Sequence, residues 1–122
     1  MSPRVLYAED HEDTRVLVAL LLRAAGFEVT EAACGSEALR LARSSRFDLY
    51  VLDNAFPDVT GVEVCRAIRE FDAGTPILFY SGRAMSEERE EALRAGAQDY
   101  MVKPDNTLEI PARAARLVGL RE

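Results

Sequence analysis

Five short apolar runs punctuate the chain, and each is followed by a segment with helical spacing. The runs are RVLYA (4–8), FEVTEA (27–32), DLYVLD (48–53), PILFYS (76–81) and DYMVK (99–103). Strands that alternate with helices through short connections pair in parallel, with right-handed crossovers that put helices on both faces. The third run is nearly continuous in apolar residues, as a strand buried on both faces must be. FEVTEA alternates instead, as a half-buried edge strand does.

The intervening segments read as helices. Residues 10–25 carry Val16, Leu17, Leu20, Leu21 and Ala24 as an expected core stripe, with Gly26 placed to end the helix. In 35–45, Leu39 and Ala42 are expected to face inward, and in 62–71 Val62, Cys65 and Ile68 recur on one side. A fourth helix over 86–95 has acidic residues in its first turn and Gly96 after it. The fifth runs to Leu120. Proline is tolerated only in a helix's first turn, so Pro111 puts the start of the helix proper near 110–111. A helical turn capped by Asn106 or Thr107 can precede it. The segment 54–61, NAFPDVTG, is a loop.

The expected fold is therefore α/β: a flavodoxin-like, doubly wound, five-stranded parallel sheet in the order 2-1-3-4-5, with five helices. At 122 residues the chain is expected to be one domain over 1–122, with no output domain.

Ligands of such sheets bind outside the carboxyl ends of the strands. Glu9 and Asp10 follow the first strand, Asp53 ends the third, Ser81 and Gly82 end the fourth, and Lys103 ends the fifth. Asp48, about 16 Å from Asp53 along the strand, belongs to the opposite edge and reads as a solvated strand start. Three carboxylates around one point repel one another, and a hard divalent cation relieves that repulsion. The cluster reads as a Mg²⁺ (or Mn²⁺) site poised for phosphoryl transfer to a carboxylate nucleophile. Ser81 and Lys103 are placed to pair with phosphoryl oxygens, and Gly82 leaves the approach open and offers an N–H. Of the 15 basic residues only Lys103 is lysine, a compact point charge rather than a planar fork.

These motifs carry a resemblance. ED (9–10), LDNAFPDVTG (52–61), YSG (80–82) and GAQDYMVKP (96–104), in order and at four strand ends, resemble the response regulator receiver domain over essentially the whole chain. The resemblance implies that Asp53 accepts phosphate from a phosphohistidine of a histidine kinase or phosphotransfer protein. It implies direct metal ligation by Asp10 and Asp53, ligation by the Ala55 backbone carbonyl, and a water-mediated role for Glu9. Ser81 and Lys103 would bind the phosphoryl group, and Ser81 and Tyr100 would switch the surface of the fourth helix, fifth strand and fifth helix. Glu9 departs from the commoner aspartate. Asn54 and Phe56 replace an aliphatic residue and methionine, and Phe56 is expected beside Pro57. Arg83 is placed at the mouth of the site. The shifted fifth helix argues against assuming the usual dimer, so a monomer or weak dimer is expected.

Composition bounds the rest. Net charge is −6 with basic residues scattered, which excludes broad electrostatic binding to nucleic acid by this domain. Output is expected through a separate domain or protein partner. No apolar run reaches membrane-span length and the N-terminus lacks a signal-like region, so a cytoplasmic protein with no membrane contact is expected. Cys34 and Cys65 have no metal-like spacing and read as free thiols. His11 reads as an exposed helix-start residue, Cys65 as core, residues 87–90 as a solvated face, and Tyr80 as a packing residue beside Ser81, with contact to the switch as the alternative. The expected activity is phosphoacceptance with autocatalytic transfer and dephosphorylation, not turnover as an enzyme. The alternative is a receiver-like interaction module that works without phosphorylation. A Mg²⁺-dependent phosphatase is disfavoured because Ala55 stands where a second general acid belongs, and a flavin protein because no phosphate-binding loop follows the first strand.

Overall fold

A computed structural model describes residues 2–82, 86–103 and 107–119. The strands are β1 (Arg4–Ala8), β2 (Glu28–Ala32), β3 (Leu49–Leu52), β4 (Ile77–Ser81) and β5 (Asp99–Val102). The helices are α1 (Glu12–Ala24), α2 (Gly35–Ser44), α3 (Gly61–Phe71), α4 (Ser86–Arg94) and α5 (Ile110–Gly119). All strand pairs are parallel, in the order β2-β1-β3-β4-β5.

The strands' two-residue period splits the core into two layers. Leu6, Ala8, Tyr50, Leu52, Phe79 and Tyr100 point to the layer shared with α2, α3 and α4. Val5, Tyr7, Val51, Leu78, Tyr80 and Met101 point to the layer shared with α1 and α5. Every residue of β3 and β4 is buried, as expected for strands covered on both sides. β2 is half-buried at its edge.

The expected stripe of α1 is the wrong face. Val18, Ala19 and Leu22 are buried, whereas Val16, Leu17 and Leu20 are 54%, 48% and 62% exposed. Residues 16–22 are all apolar, so their periodicity cannot select a side. Tertiary packing against β1 and α5 makes the choice. Arg15 adds to it by pairing with Glu31 at 3.3 Å and donating to the Glu9 carbonyl at 3.0 Å. Gly26, at φ +98°, takes the left-handed turn that ends α1. In α2, Ala38 and Ala42 are the buried pair and Leu39 is half-buried beside them.

Asp48 is more than a solvated strand start. It is half-buried, and its Oδ2 accepts the Arg4 N–H at 2.7 Å, tying the entry of β3 to that of β1. The fifth helix follows the proline argument: a 3₁₀ turn over Thr107–Glu109 leads into α5, with Pro111 in its first turn. Asn106 lies outside the described residues. Cys34 and Cys65 are both free. No helix among the described residues is long and apolar enough to cross a membrane.

Candidate functional site

Parallel register brings the chemistry to one edge. Ala8 pairs with Leu52, Leu52 with Phe79, and Ser81 with Val102, so the residues that follow these strand ends emerge side by side. The ladder extends one step further. Glu9 N–H donates to the Ala32 carbonyl at 2.9 Å, Asp53 N–H to Ala8 at 3.2 Å, and Lys103 N–H to Ser81 at 2.9 Å. The functional side chains thus stand on backbone fixed by sheet hydrogen bonds.

Lys103 is the hub. Its Nζ lies 2.5 Å from Glu9 Oε1 and 3.0 Å from Asp53 Oδ2. Glu9 is fully buried and Asp53 nearly so. Burial raises the Glu9 carboxyl above its ordinary value; the Lys103 hydrogen bond opposes that rise, and the Asp53 charge adds to it. Burial alone would lower Lys103, but its bonds to Glu9 and Asp53 outweigh burial and raise it, keeping the ammonium charged. Glu9 Oε2 also accepts the His11 N–H at 3.2 Å. The longer arm of glutamate therefore reaches the lysine directly. Tyr7 donates weakly to Glu9 at 3.5 Å, and its hydroxyl is raised by burial and then by the Glu9 charge.

Asp53 is held from behind by the loop after β3. Asn54 N–H donates to Asp53 Oδ1 at 2.6 Å, and Gly61 N–H donates to the Asn54 carbonyl at 2.9 Å. A Cβ on Gly61 would lie 2.1 Å from the Asp53 carbonyl oxygen and 2.8 Å from Asn54 Cα, so only glycine fits. Thr60 caps α3 in a reciprocal capping box with Glu63. Asp58, at the loop's tip, reaches the start of α2. Its carboxylate accepts N–H bonds from Gly35 at 3.0 Å and Ser36 at 2.9 Å, and the bond from Ser36 is the chief cause that lowers its pKa to about 2. Cys34, the N-cap residue of α2, makes no such bond. The loop aspartate supplies the cap instead.

The other expected residues fall as follows. Ser81 is buried at the end of β4. Gly82 is exposed, and a Cβ there would meet nothing within 4 Å, so packing does not demand glycine. Tyr100 is buried and stacked on Phe79 at 5.7 Å between centroids. Ala55 is exposed and bridges to Thr60. Phe56 packs against the core layer under α3. Arg83 and Pro104 lie outside the described residues. His11 caps α1, with Nδ1 accepting the Thr14 N–H at 3.3 Å. Cys65 is buried, donates to the Ala95 carbonyl, and is pushed by burial to about 11, which suits a core thiol. The roles of Gly61 and Asp58 emerge only from the structure, which also gives Tyr80 specific partners beyond packing. The Tyr80 ring lies 5.6 Å beneath the Lys103 ammonium.

Glu9, Asp10 and Asp53 each bring one oxygen to a group whose members lie within 4.8 Å of one another. Asp10 is exposed and Asp53 buried, an all-oxygen donor set open on one side that fits a hard divalent cation.

Comparison with known proteins gives the family. The model of the response regulator receiver domain matches residues 5–115. The chain belongs to the response regulator receiver family. This receiver is 42% identical over 120 residues to the transcriptional regulatory protein PrrA of Mycobacterium tuberculosis, covering 98% of the chain and 52% of PrrA. The receiver thus spans about half the length of the curated relatives it matches. Its fold matches a CheY-like receiver domain from Methanospirillum hungatei with TM-score 0.94 and 25% identity, over 99% of the chain and 97% of that structure. It also matches the receiver domain of a Pseudomonas aeruginosa sensor histidine kinase, solved with a magnesium ion in its active site cleft. There the TM-score is 0.89 and identity 30%, over 98% of the chain and 99% of that structure. The receiver is thereby a component of two-component signalling.

Proposed function

We propose that Asp53 accepts one phosphoryl group from a phosphohistidine on a histidine kinase or phosphotransfer protein, and that this charge switches the surface of α4, β5 and α5. The observation that carries the reading is Lys103, the single lysine, held at 3.0 Å on Asp53 Oδ2 beside a cluster of three carboxylates. An Asp53 carboxylate oxygen attacks phosphorus as the phosphorus–nitrogen bond breaks; the imidazole nitrogen keeps the bond's electron pair. Lys103 meets the phosphoryl oxygens as a point charge, with the Ser81 hydroxyl and the Gly82 N–H as further donors. Mg²⁺ or Mn²⁺, held by Asp10, Asp53 and the Ala55 carbonyl with Glu9 acting through water, would supply charge neutralisation at the phosphoryl oxygens.

In this reading the chain is a phosphoacceptor that catalyses its own phosphorylation and dephosphorylation and does not turn over free substrates. Residues 1–122 act as one cytoplasmic receiver domain, a monomer or weak dimer. Ser81 and Tyr100 carry the switch on the face of α4. The phosphodonor docks over α1, whose exposed Val16, Leu17 and Leu20 begin within two turns of Asp10. Relatives named transcriptional regulators favour an output in transcription control. With net charge −6, contact with DNA falls to another domain or partner.

The test is incubation with Mg²⁺ and acetyl phosphate, followed by intact mass. One phosphoryl equivalent is expected in the wild type and none in Asp53→Asn. Absence of uptake, with acetyl phosphate and with a cognate phosphohistidine donor alike, would refute the proposal and favour a phosphorylation-independent module.

A further inference from the structure

Ser81 and Tyr80 are neighbours on β4, so their side chains leave opposite faces of the sheet. On the face of α4, Tyr100 stacks on Phe79. On the other face, Tyr80 is buried in the layer of α1 and α5, among Tyr7, Met101, Ile110 and Ala114. Its ring faces the Lys103 ammonium at 5.6 Å, within cation–π range. Its hydroxyl hydrogen-bonds with the Thr107 hydroxyl. Thr107 opens the 3₁₀ turn that runs without a break into α5, and Ile110 anchors that junction in the same layer. One rigid side chain thus faces the ammonium at the candidate site and bonds to the entry of the last helix.

We propose that Tyr80 is a positioning residue that couples the state of Asp53 to residues 107–119, by a route on the sheet face opposite Tyr100. The inference rests on the reading of Asp53 as phosphoacceptor. In this structure Lys103 divides its charge between Glu9 and Asp53 above the Tyr80 ring. A phosphoryl group on Asp53 adds oxygens that compete for the same ammonium and draw it outward. The ring loses its cation, and the hydroxyl bond to Thr107 transmits the change to the helix entry. The two hydroxyls act as a unit, so either one alone carries nothing.

The experiment compares wild type, Tyr80→Phe, Thr107→Val and the double variant, each with and without Mg²⁺ and acetyl phosphate. Intact mass reports phosphoryl occupancy, and amide hydrogen exchange reports 107–119 and α4 separately. In wild type, phosphorylation should change exchange across 107–119 by at least about fivefold, the lower end of usual coupling. Each single variant should reach wild-type occupancy, keep its response at α4 and lose the response at 107–119. The double variant should lose no more than either single one, as members of one pair do. A wild-type response at 107–119 in phosphorylated Tyr80→Phe, or additive losses in the double variant, overturns the coupling alone. Failure of the wild type to take up phosphoryl overturns the phosphoacceptor reading instead, and the coupling with it.

Discussion

Gly61→Ala places a methyl group where the structure has no room. The new Cβ would sit 2.1 Å from the Asp53 carbonyl oxygen, 2.8 Å from Asn54 Cα and 2.9 Å from the Phe79 ring. Two of these neighbours are backbone and cannot rotate aside. Overpacking of this kind costs roughly 1–3 kcal/mol, and rigid neighbours put it near the top of that range. Alanine regains at most about 1 kcal/mol of helix propensity, because Gly61 is the first residue of α3. The net loss is about 2 kcal/mol, which for a domain of this size lowers the thermal midpoint by about 8 °C. The strain falls on the backbone of Asp53 and on the loop that positions its carboxylate. The variant, still folded at room temperature, should therefore also take up phosphoryl from acetyl phosphate more slowly. Urea denaturation and the time course of intact mass measure the two effects. Stability within about 0.5 kcal/mol of wild type, with an unchanged uptake rate, would show that the close approach is not what holds Asp53.

Three further outcomes are expected. The Asp58 carboxyl is depressed, from 3.8 to about 2, so it contributes stability above its unfolded value and loses it as pH falls through the folded one. Asp58→Asn should lower the thermal midpoint at neutral pH, and its gap from wild type should close between pH 3.8 and about 2. Lys103→Arg keeps the charge and the fold, but a planar fork replaces a point charge. Phosphorylation-dependent exchange changes in α4 and α5 should then weaken roughly tenfold at matched occupancy. Leu17→Gln with Leu20→Gln should leave stability within about 0.5 kcal/mol per site, since both side chains face solvent. Transfer from a phosphohistidine donor should slow, while uptake from acetyl phosphate stays unchanged.

The sequence carried the fold because parallel strands separated by helices admit few arrangements, and because Asp53, Ser81 and Lys103 all had to leave the same sheet edge. Pro111 likewise marks the start of α5, because proline is tolerated only in a helix's first turn. The face of α1 was not legible: an unbroken apolar run from Val16 to Leu22 leaves the choice to tertiary packing. Asp58 gave no local signal, since it caps a helix that begins 23 residues earlier in the chain. Gly61 looked like an ordinary loop glycine, because its constraint is a backbone contact across the loop. Glu9 looked like a longer metal ligand; its reach to Lys103 depends on how far the first and fifth strands extend. Tyr80 read as packing because its second contact, Thr107, lies 27 residues away.

The most direct test of the central claim is to locate the phosphoryl group itself. After reaction with Mg²⁺ and acetyl phosphate, borohydride reduction converts an acyl phosphate on aspartate to homoserine, and peptide mass spectrometry finds the modified residue. The account predicts a single site at Asp53. Modification at another residue, or phosphoryl uptake that persists in Asp53→Asn, would contradict it.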